Sequence, residues 1–230
     1  MGLLGAGALV IWNDVAPGSD HEFNHWHMKE HMPERLAVPG FLRGRRYTAE
    51  TEHPRYFTLY ETALVETLGS VPYVDRLNAP TPWSRQLFPQ WRNTSRTACR
   101  VTASLGQGLG GCIATLTLTS NPGRADALRT WLLQRALPEI LTHPEVVGGH
   151  VCEAVEGVTQ IPTEEKRERG SPDVLVSWVV LVEGTDAELL EGTCREGLSA
   201  ETLREQGGAA GARGVYRLAY ALGPRSAEPP

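Results

Sequence analysis

The chain has 230 residues, 41% of them apolar and 21% charged, with a formal net charge of -5. That length allows one large domain or two smaller ones, each able to bury a real core. The charge balance implies no nucleic acid and no anionic membrane surface as a partner, and no apolar run reaches the roughly 18 to 20 residues of a spanning helix.

The start, MGLLGAGALVIW, is apolar but lacks a basic n-region and a small-residue cleavage site, so it reads as a first strand rather than a leader. Residues 7–15 form that strand, stopped by Pro17-Gly18. Asp20 then opens a helix as N-cap, and the helix runs over 20–38 until Pro39-Gly40 ends it. Met28, Met32 and Leu36 share one stripe that should pack on a sheet, with His27 and His31 about 40° apart on its flank. Residues 41–51 and 55–62 read as an antiparallel hairpin turning at Glu52-His53-Pro54. A weaker helix over 64–77 follows, then an irregular aromatic arm over 78–93 carrying Trp83 and Trp91, and a fourth strand over 94–105. The order is β-α-β-β-α-β, the split βαβ pattern. The segment 106–111, GQGLGG, satisfies G-x-G-x-x-G. A dinucleotide fingerprint must join strand to helix, however, and here strand precedes strand, so the segment reads as a flexible linker.

The second half repeats the first at an offset of 105: Trp26, Pro33, Glu34, Leu36, Pro39 and Gly44 fall on Trp131, Pro138, Glu139, Leu141, Pro144 and Gly149. Its elements are a strand over 112–120, a helix over 124–142, strands over 146–155 and 174–183, a helix over 186–205 and a strand over 214–222. A polar insertion over 156–172 reads as a mobile loop, and the tail over 224–230 as disordered. The expected organisation is thus a first unit over 1–105, a linker over 106–111 and a second unit over 112–223. Where the first copy carries His21, His25, His27 and His31, the second has Asp126, Thr130, Leu132 and Ala136. Packing residues kept in both halves and ionisable residues in one place the expected site in the first half.

The four cysteines (Cys99, Cys112, Cys152, Cys194) form no C-x-x-C pair and fit reduced thiols in a cytoplasm.

A β-α-β-β-α-β unit with Trp26-His27 to His31-Met32-Pro33 and then Pro39-Gly40-Phe41 resembles the EthD-like branch of the dimeric α+β barrel superfamily. The resemblance implies an α+β fold of two tandem ferredoxin-like units whose antiparallel sheets close a pseudo-symmetric barrel, helices outside. It also implies an intrachain pseudo-dimer, with further homodimerisation open. Relatives of that fold include isomerases, polyketide cyclases, antibiotic-biosynthesis monooxygenases and haem enzymes, so fold alone does not choose a reaction.

His31 is the first choice for a general acid or base, since its pKa lies near neutrality, with His27 one turn earlier to tune it or to touch substrate. Tyr60 and Tyr47, on the paired strands, can donate to a substrate oxygen. Trp12 and Asp14 end the first strand where a pocket mouth forms. Arg46 can hold a carboxylate or phenolate, the competing reading being a solvated strand edge. His21/His25 and His27/His31 are both i, i+4 pairs able to chelate a divalent metal, but they point about 120° apart and no H-E-x-x-H is present. A haem on one histidine is the other cofactor alternative. The expectation is therefore cofactor-independent proton transfer (isomerase, cyclase or lyase) on an aromatic or polyketide-like small molecule. The alternatives are a monooxygenase, cofactor-free or haem-dependent, and a non-catalytic binding or assembly protein using the arm from Trp83 to Trp91.

Overall fold

The computed structural model describes residues 2–49, 53–170 and 173–223; the expected tail and part of the first hairpin turn lie outside them. The chain runs β1 (Gly7–Val15), α1 (Asp20–Trp26), a π-helical turn (His27–His31), α2 (Met32–Leu36), β2 (Phe41–Thr48), β3 (Tyr56–Thr62), a 3₁₀ turn (Val65–Gly69), α3 (Val71–Asn78), α4 (Pro82–Leu87), a 3₁₀ turn (Phe88–Gln90) and β4 (Trp91–Gly106). It continues with β5 (Cys112–Ser120), α5 (Ala125–Trp131), a second π-helical turn (Leu132–Ala136), α6 (Leu137–Ile140), β6 (Val146–Ala154), α7 (Glu156–Thr159), α8 (Glu164–Arg169), β7 (Trp178–Gly184), α9 (Ala187–Gly197), α10 (Ala200–Glu205) and β8 (Gly208–Leu222).

All eight strands form one closed barrel in the order β1-β3-β2-β8-β5-β7-β6-β4, every pair antiparallel. Each unit has the ferredoxin-like order, β4-β1-β3-β2 and β8-β5-β7-β6. The two are joined because β4 and β8 are nearly three times the length of a typical strand. β4 pairs with β1 along its first part and with β6 along its last, and β8 passes likewise from β5 to β2. One chain therefore closes the barrel and leaves no open sheet edge. Gly106 ends β4 at φ +90°, where a Cβ would lie 2.3 Å from the Val147 carbonyl oxygen, so only glycine lets the chain turn out into the linker.

Strand alternation sorts the side chains between two faces. Leu9, Ile11, Tyr56 and Tyr60 face the first unit's helices, while Ala8, Val10, Trp12, Tyr47, Phe57 and Leu59 fill the barrel interior with Ile113, Leu181 and Tyr216. The second unit has its own helix-side core around Leu128, Leu132, Leu137 and Val180.

The long helix of each unit is broken by a π turn at the same repeat position, with Met32 N–H bonding the His27 carbonyl and Leu137 N–H the Leu132 carbonyl. Pro33 and Pro138 explain it. A proline has no N–H for the carbonyl four residues back, and its ring collides with that carbonyl, so the turn widens. The extra residue advances the helical phase, and the predicted stripe is corrected: Met28 turns partly outward, while His27 and His31 move from its flank to full burial.

Gly44 and Gly149 are the strand positions on which the helices rest. A Cβ would lie 3.0 Å from Met32 Cγ in one unit and 3.0 Å from Leu137 Cδ2 in the other. Gly149→Ala is expected to cost about 1–3 kcal/mol through overpacking, seen as a lower urea midpoint at unchanged m-value.

Other expectations are corrected as well. Ser19 is the N-cap, without a side-chain capping bond, and Asp20 instead accepts from Tyr56 OH (2.5 Å) and Arg55 Nη1 (3.0 Å). The weaker helix breaks at Ser70, and the 186–205 helix at Leu198 and Ser199, which caps α10. β8 begins six residues before the expected 214. The aromatic arm is helical and folds inward, burying Phe88 and Trp91. The insertion is not a bare loop: α7 and α8 cover the first unit, held by Arg35–Glu165 (2.6 Å), Arg85–Glu168, and Glu164 N–H on Asn78 Oδ1 (3.0 Å).

Candidate active site

The buried face of the first unit's helix brings His27 and His31 together, ring centroids 5.3 Å apart and each side chain 2% exposed. Trp26 packs on His31 at 4.3 Å. It is pinned from outside, its Nε1 donating to Glu30 Oε1 (3.1 Å) and Ser84 Oγ (3.2 Å), while Thr81 donates to the same carboxylate (2.6 Å). Thus α4, within the segment whose sequence reads as an irregular aromatic arm, fixes the indole that fixes His31.

Four guanidinium groups surround the pair. Arg35 follows His31 by four residues on the same helix face and is held by Glu165 of α8. Arg96 of β4 donates to Tyr73 OH (2.9 Å). Arg169 of α8 bonds Asp173 (2.7 Å) and lies 5.6 Å over the Trp91 ring. Arg46 of β2 lies 5.9 Å over the Tyr56 ring. Burial, and then the positive charge of Arg35, His27, Arg169 and Arg96, hold the His31 pKa well below its usual value; burial and the charges of Arg46 and Arg35 do the same for His27. Both imidazoles are therefore neutral at pH 7, available to accept a proton. Burial pushes the Tyr60 phenol far up, beyond what the nearby guanidinium of Arg35 offsets, so it remains a donor.

Buried polar atoms normally have partners, because leaving one without a hydrogen bond is costly. Here His27 Nδ1, His31 Nδ1, Arg35 Nη1, Arg46 Nε and Nη1, Tyr60 OH and Trp91 Nε1 have none among the described residues. That gathering is what a substrate's oxygens or ordered water would satisfy. Beside it runs a groove of about 660 Å³ lined by Met28, Leu36, Tyr220 and Leu222, and Tyr220 lies directly opposite Arg46 across the β2–β8 junction.

The second unit lacks these groups at the equivalent positions. At the positions of His27, His31, Arg35 and Arg46 stand Leu132, Ala136, Ile140 and Val151. Val182, opposite Gly149, takes the place of Tyr60, opposite Gly44. The cavity there, about 150 Å³, has an apolar wall of Ala114, Leu116, Val180 and Leu198 with Glu191, Arg195 and Arg213 also lining it, and no histidine or tyrosine.

Of the residues singled out from sequence, His27, His31, Tyr60 and Arg46 meet in this place. Trp12, Tyr47 and Asp14 do not. Trp12 and Tyr47 point into the barrel, each packed on Phe57, on the opposite face of the sheet. Trp12 lines a separate cavity of about 500 Å³ at the barrel end, with Tyr216. Asp14 holds the hairpin, accepting from Arg55 N–H (2.7 Å), Asn93 Nδ2 (2.8 Å) and, with the tautomer free to choose, His53 Nδ1 (3.1 Å). Burial raises its pKa, but these bonds outweigh that and keep it lowered. Arg46 is not a solvated edge residue; it is 3% exposed. His21 and His25 are exposed, and no group of three metal-ligating side chains exists among the described residues. The four cysteines are buried and free.

No protein-family model matches the chain, nor does any curated protein. Solved structures do. An anthrone oxidase-like protein superimposes with a TM-score of 0.63 at 11% identity, over 98% of this chain and 97% of its own. A candidate monooxygenase from Fusobacterium nucleatum subsp. nucleatum gives 0.54 at 8% identity, over 94% and 93%. A haem-binding protein from Thermus thermophilus gives 0.51 at 13%, over 93% and 91%. At such identities the likeness is one of fold, and that fold is the dimeric α+β barrel, closed here within a single chain.

Proposed function

We propose that the chain is a small-molecule enzyme of EthD-like type in which His31 moves a proton in the first unit. The observation that carries this is the pair of neutral imidazoles set among guanidinium groups, with unpartnered donors at Arg35, Arg46 and Tyr60. His31 takes a proton from carbon beside a carbonyl. The electron pair then shifts onto oxygen, where Tyr60 and Arg46 stabilise it. Returning the proton to another atom completes an isomerisation or cyclisation; expelling a leaving group completes an elimination.

A second reading, addition of dioxygen to the same enolate, is favoured by the names of two fold neighbours, one anthrone oxidase-like and one a candidate monooxygenase. Haem does not fit the residues present. His31 is stacked on Trp26 at 4.3 Å, with Phe88 and Trp91 each 6.4 Å away and all of them buried, which leaves no slab for a porphyrin beside it.

Anthrone, with its acidic methylene, tests both readings. In deuterated buffer without oxygen, the protein should exchange the methylene protons well above the buffer rate, followed by NMR. Oxygen uptake with quinone formation, once air is admitted, would identify the second reading. Exchange no faster than buffer removes the proton-transfer reading for this substrate class.

A further inference from the structure

Among the four guanidinium groups of the site, Arg46 stands apart. Arg35 has Glu165, Arg169 has Asp173 and Arg96 has the Tyr73 hydroxyl. Arg46 has the face of Tyr56, and two of its three nitrogens lack any partner among the described residues although the side chain is 3% exposed. A guanidinium keeps its charge at neutral pH even when buried, so it cannot escape the cost by losing a proton. A buried charge left without a counter-charge is among the most costly arrangements a fold can hold.

The surroundings say what would balance it. Tyr60 OH and Arg35 Nη1 are also unpartnered donors, which suits a group that only accepts. Tyr220, opposite Arg46, belongs to the wall of the 660 Å³ groove, whose Met28, Leu36 and Leu222 offer an apolar bed of a size common for small ligands. Glu34, Lys29 and Arg76 form its polar rim. In the second unit the position of Arg46 is Val151, so the receptor exists once per chain.

Building on the proposed site, we propose that the substrate is an aromatic molecule bearing an anionic oxygen, either a carboxylate or an acidic phenol held as phenolate. Arg46 receives the charge, and the groove beside Tyr220 receives the ring. Arg46 is thereby the residue that selects anionic over neutral aromatics.

Two matched pairs of probes test this on the full chain: benzoate against benzamide, and 4-nitrophenol against 4-nitroanisole, followed by quenching of tryptophan fluorescence. The colour of 4-nitrophenol also reports its ionisation. The wild type should prefer the anion of at least one pair by about tenfold or more, and bound 4-nitrophenol should ionise at lower pH if the phenolate is the form held. A preference confined to one pair tells carboxylate from phenolate. Arg46→Met should abolish the preference and Arg46→Lys should restore part of it; Arg46→Gln serves the same purpose if the Met variant does not fold. Equal binding of charged and neutral probes by the wild type, or an unchanged preference in the uncharged Arg46 variants, overturns the proposal. Anion preference without anthrone exchange would remove proton transfer for the anthrone class and leave this proposal standing, and exchange without anion preference would sink this one alone.

Discussion

Replacing Arg45 by Met is expected to destabilise the fold by about 3–5 kcal/mol, because it strips a buried charge network of its centre. Arg45 is fully buried inside the barrel. Its Nε bonds Glu61 (2.9 Å), and its Nη1 bonds Glu183 (2.7 Å) and Tyr47 OH (2.8 Å). Glu61 and Glu183 pair with Ala8 and Ile113, equivalent positions of the two units, and Arg45 corresponds to His150, which meets Glu183 at 3.2 Å. Without Arg45, Glu61 retains Arg43 and the Leu4 N–H, and Glu183 retains His150 and the Gly110 N–H, yet two carboxylates remain buried with too little positive charge between them. A urea titration should show a lower midpoint, and the Tm should fall by about 10 °C for a chain of this length. Adding Glu183→Gln should recover part of the loss, since partners in one network are not additive.

The same network sets the acid limit of stability. Burial alone would raise the Glu183 pKa, but the bonds from His150 and Arg45 and their charges outweigh it and hold it at about 2, against an ordinary 4.5. A carboxylate depressed in the folded state contributes stability that is fully present above its unfolded pKa and is lost as pH falls toward its folded one. The wild type should therefore lose about 3 kcal/mol between roughly pH 5 and pH 2 from this group, and Arg45→Met should lose less over that window.

Replacing His31 is expected to lower turnover by about 10²- to 10⁴-fold, the usual contribution of a positioned acid or base. His31→Gln is the informative variant, because it keeps volume and hydrogen bonding beside Trp26 and removes basicity; His31→Ala adds a hole next to the indole. His27→Gln should cost less, since its role is to tune. Because burial and the flanking Arg35, His27, Arg169 and Arg96 keep His31 neutral, the rate of the wild type should stay level through neutrality and decline only well below pH 6.5. The stability sign is separate: a histidine whose folded pKa is lowered makes the unfolded chain bind more protons, so stability is undiminished above about pH 6.5 and declines as pH falls below it. His31→Gln should show a weaker decline. An unchanged turnover in His31→Gln would remove the assignment.

Much of this architecture was written in local pattern. Strand 7–15, the first hairpin and the repeat at offset 105 follow from β-branched runs, turn residues and the recurrence of Pro33/Pro138 and Gly44/Gly149. The two prolines also held the signal for the π turns, but a bond five residues back has no periodic signature, so the burial of His27 and His31 was not legible. Nor was the choice of sheet face. Ala8, Val10 and Trp12 alternate with Leu9 and Ile11, both sets apolar, so nothing local told that Trp12 and Tyr47 face the barrel and Tyr60 and Arg46 the helices. Arg35 was within reach, four residues after His31. Arg96, Arg169 and Trp91 were not, because they arrive through strand pairing and through an insertion whose run EEKRER reads as a solvated face until Glu165 and Arg169 turn inward.

That insertion is encoded in the second half of the gene but stands guard over the first half's chemistry, with Glu165 steadying Arg35 and Arg169 covering Trp91. The half that carries the proposed site is therefore unfinished without its partner half. A lesion that loosens only the C-terminal half should disturb the proposed site from a distance, and loss of ligand binding there should precede loss of the N-terminal structure as the molecule is warmed.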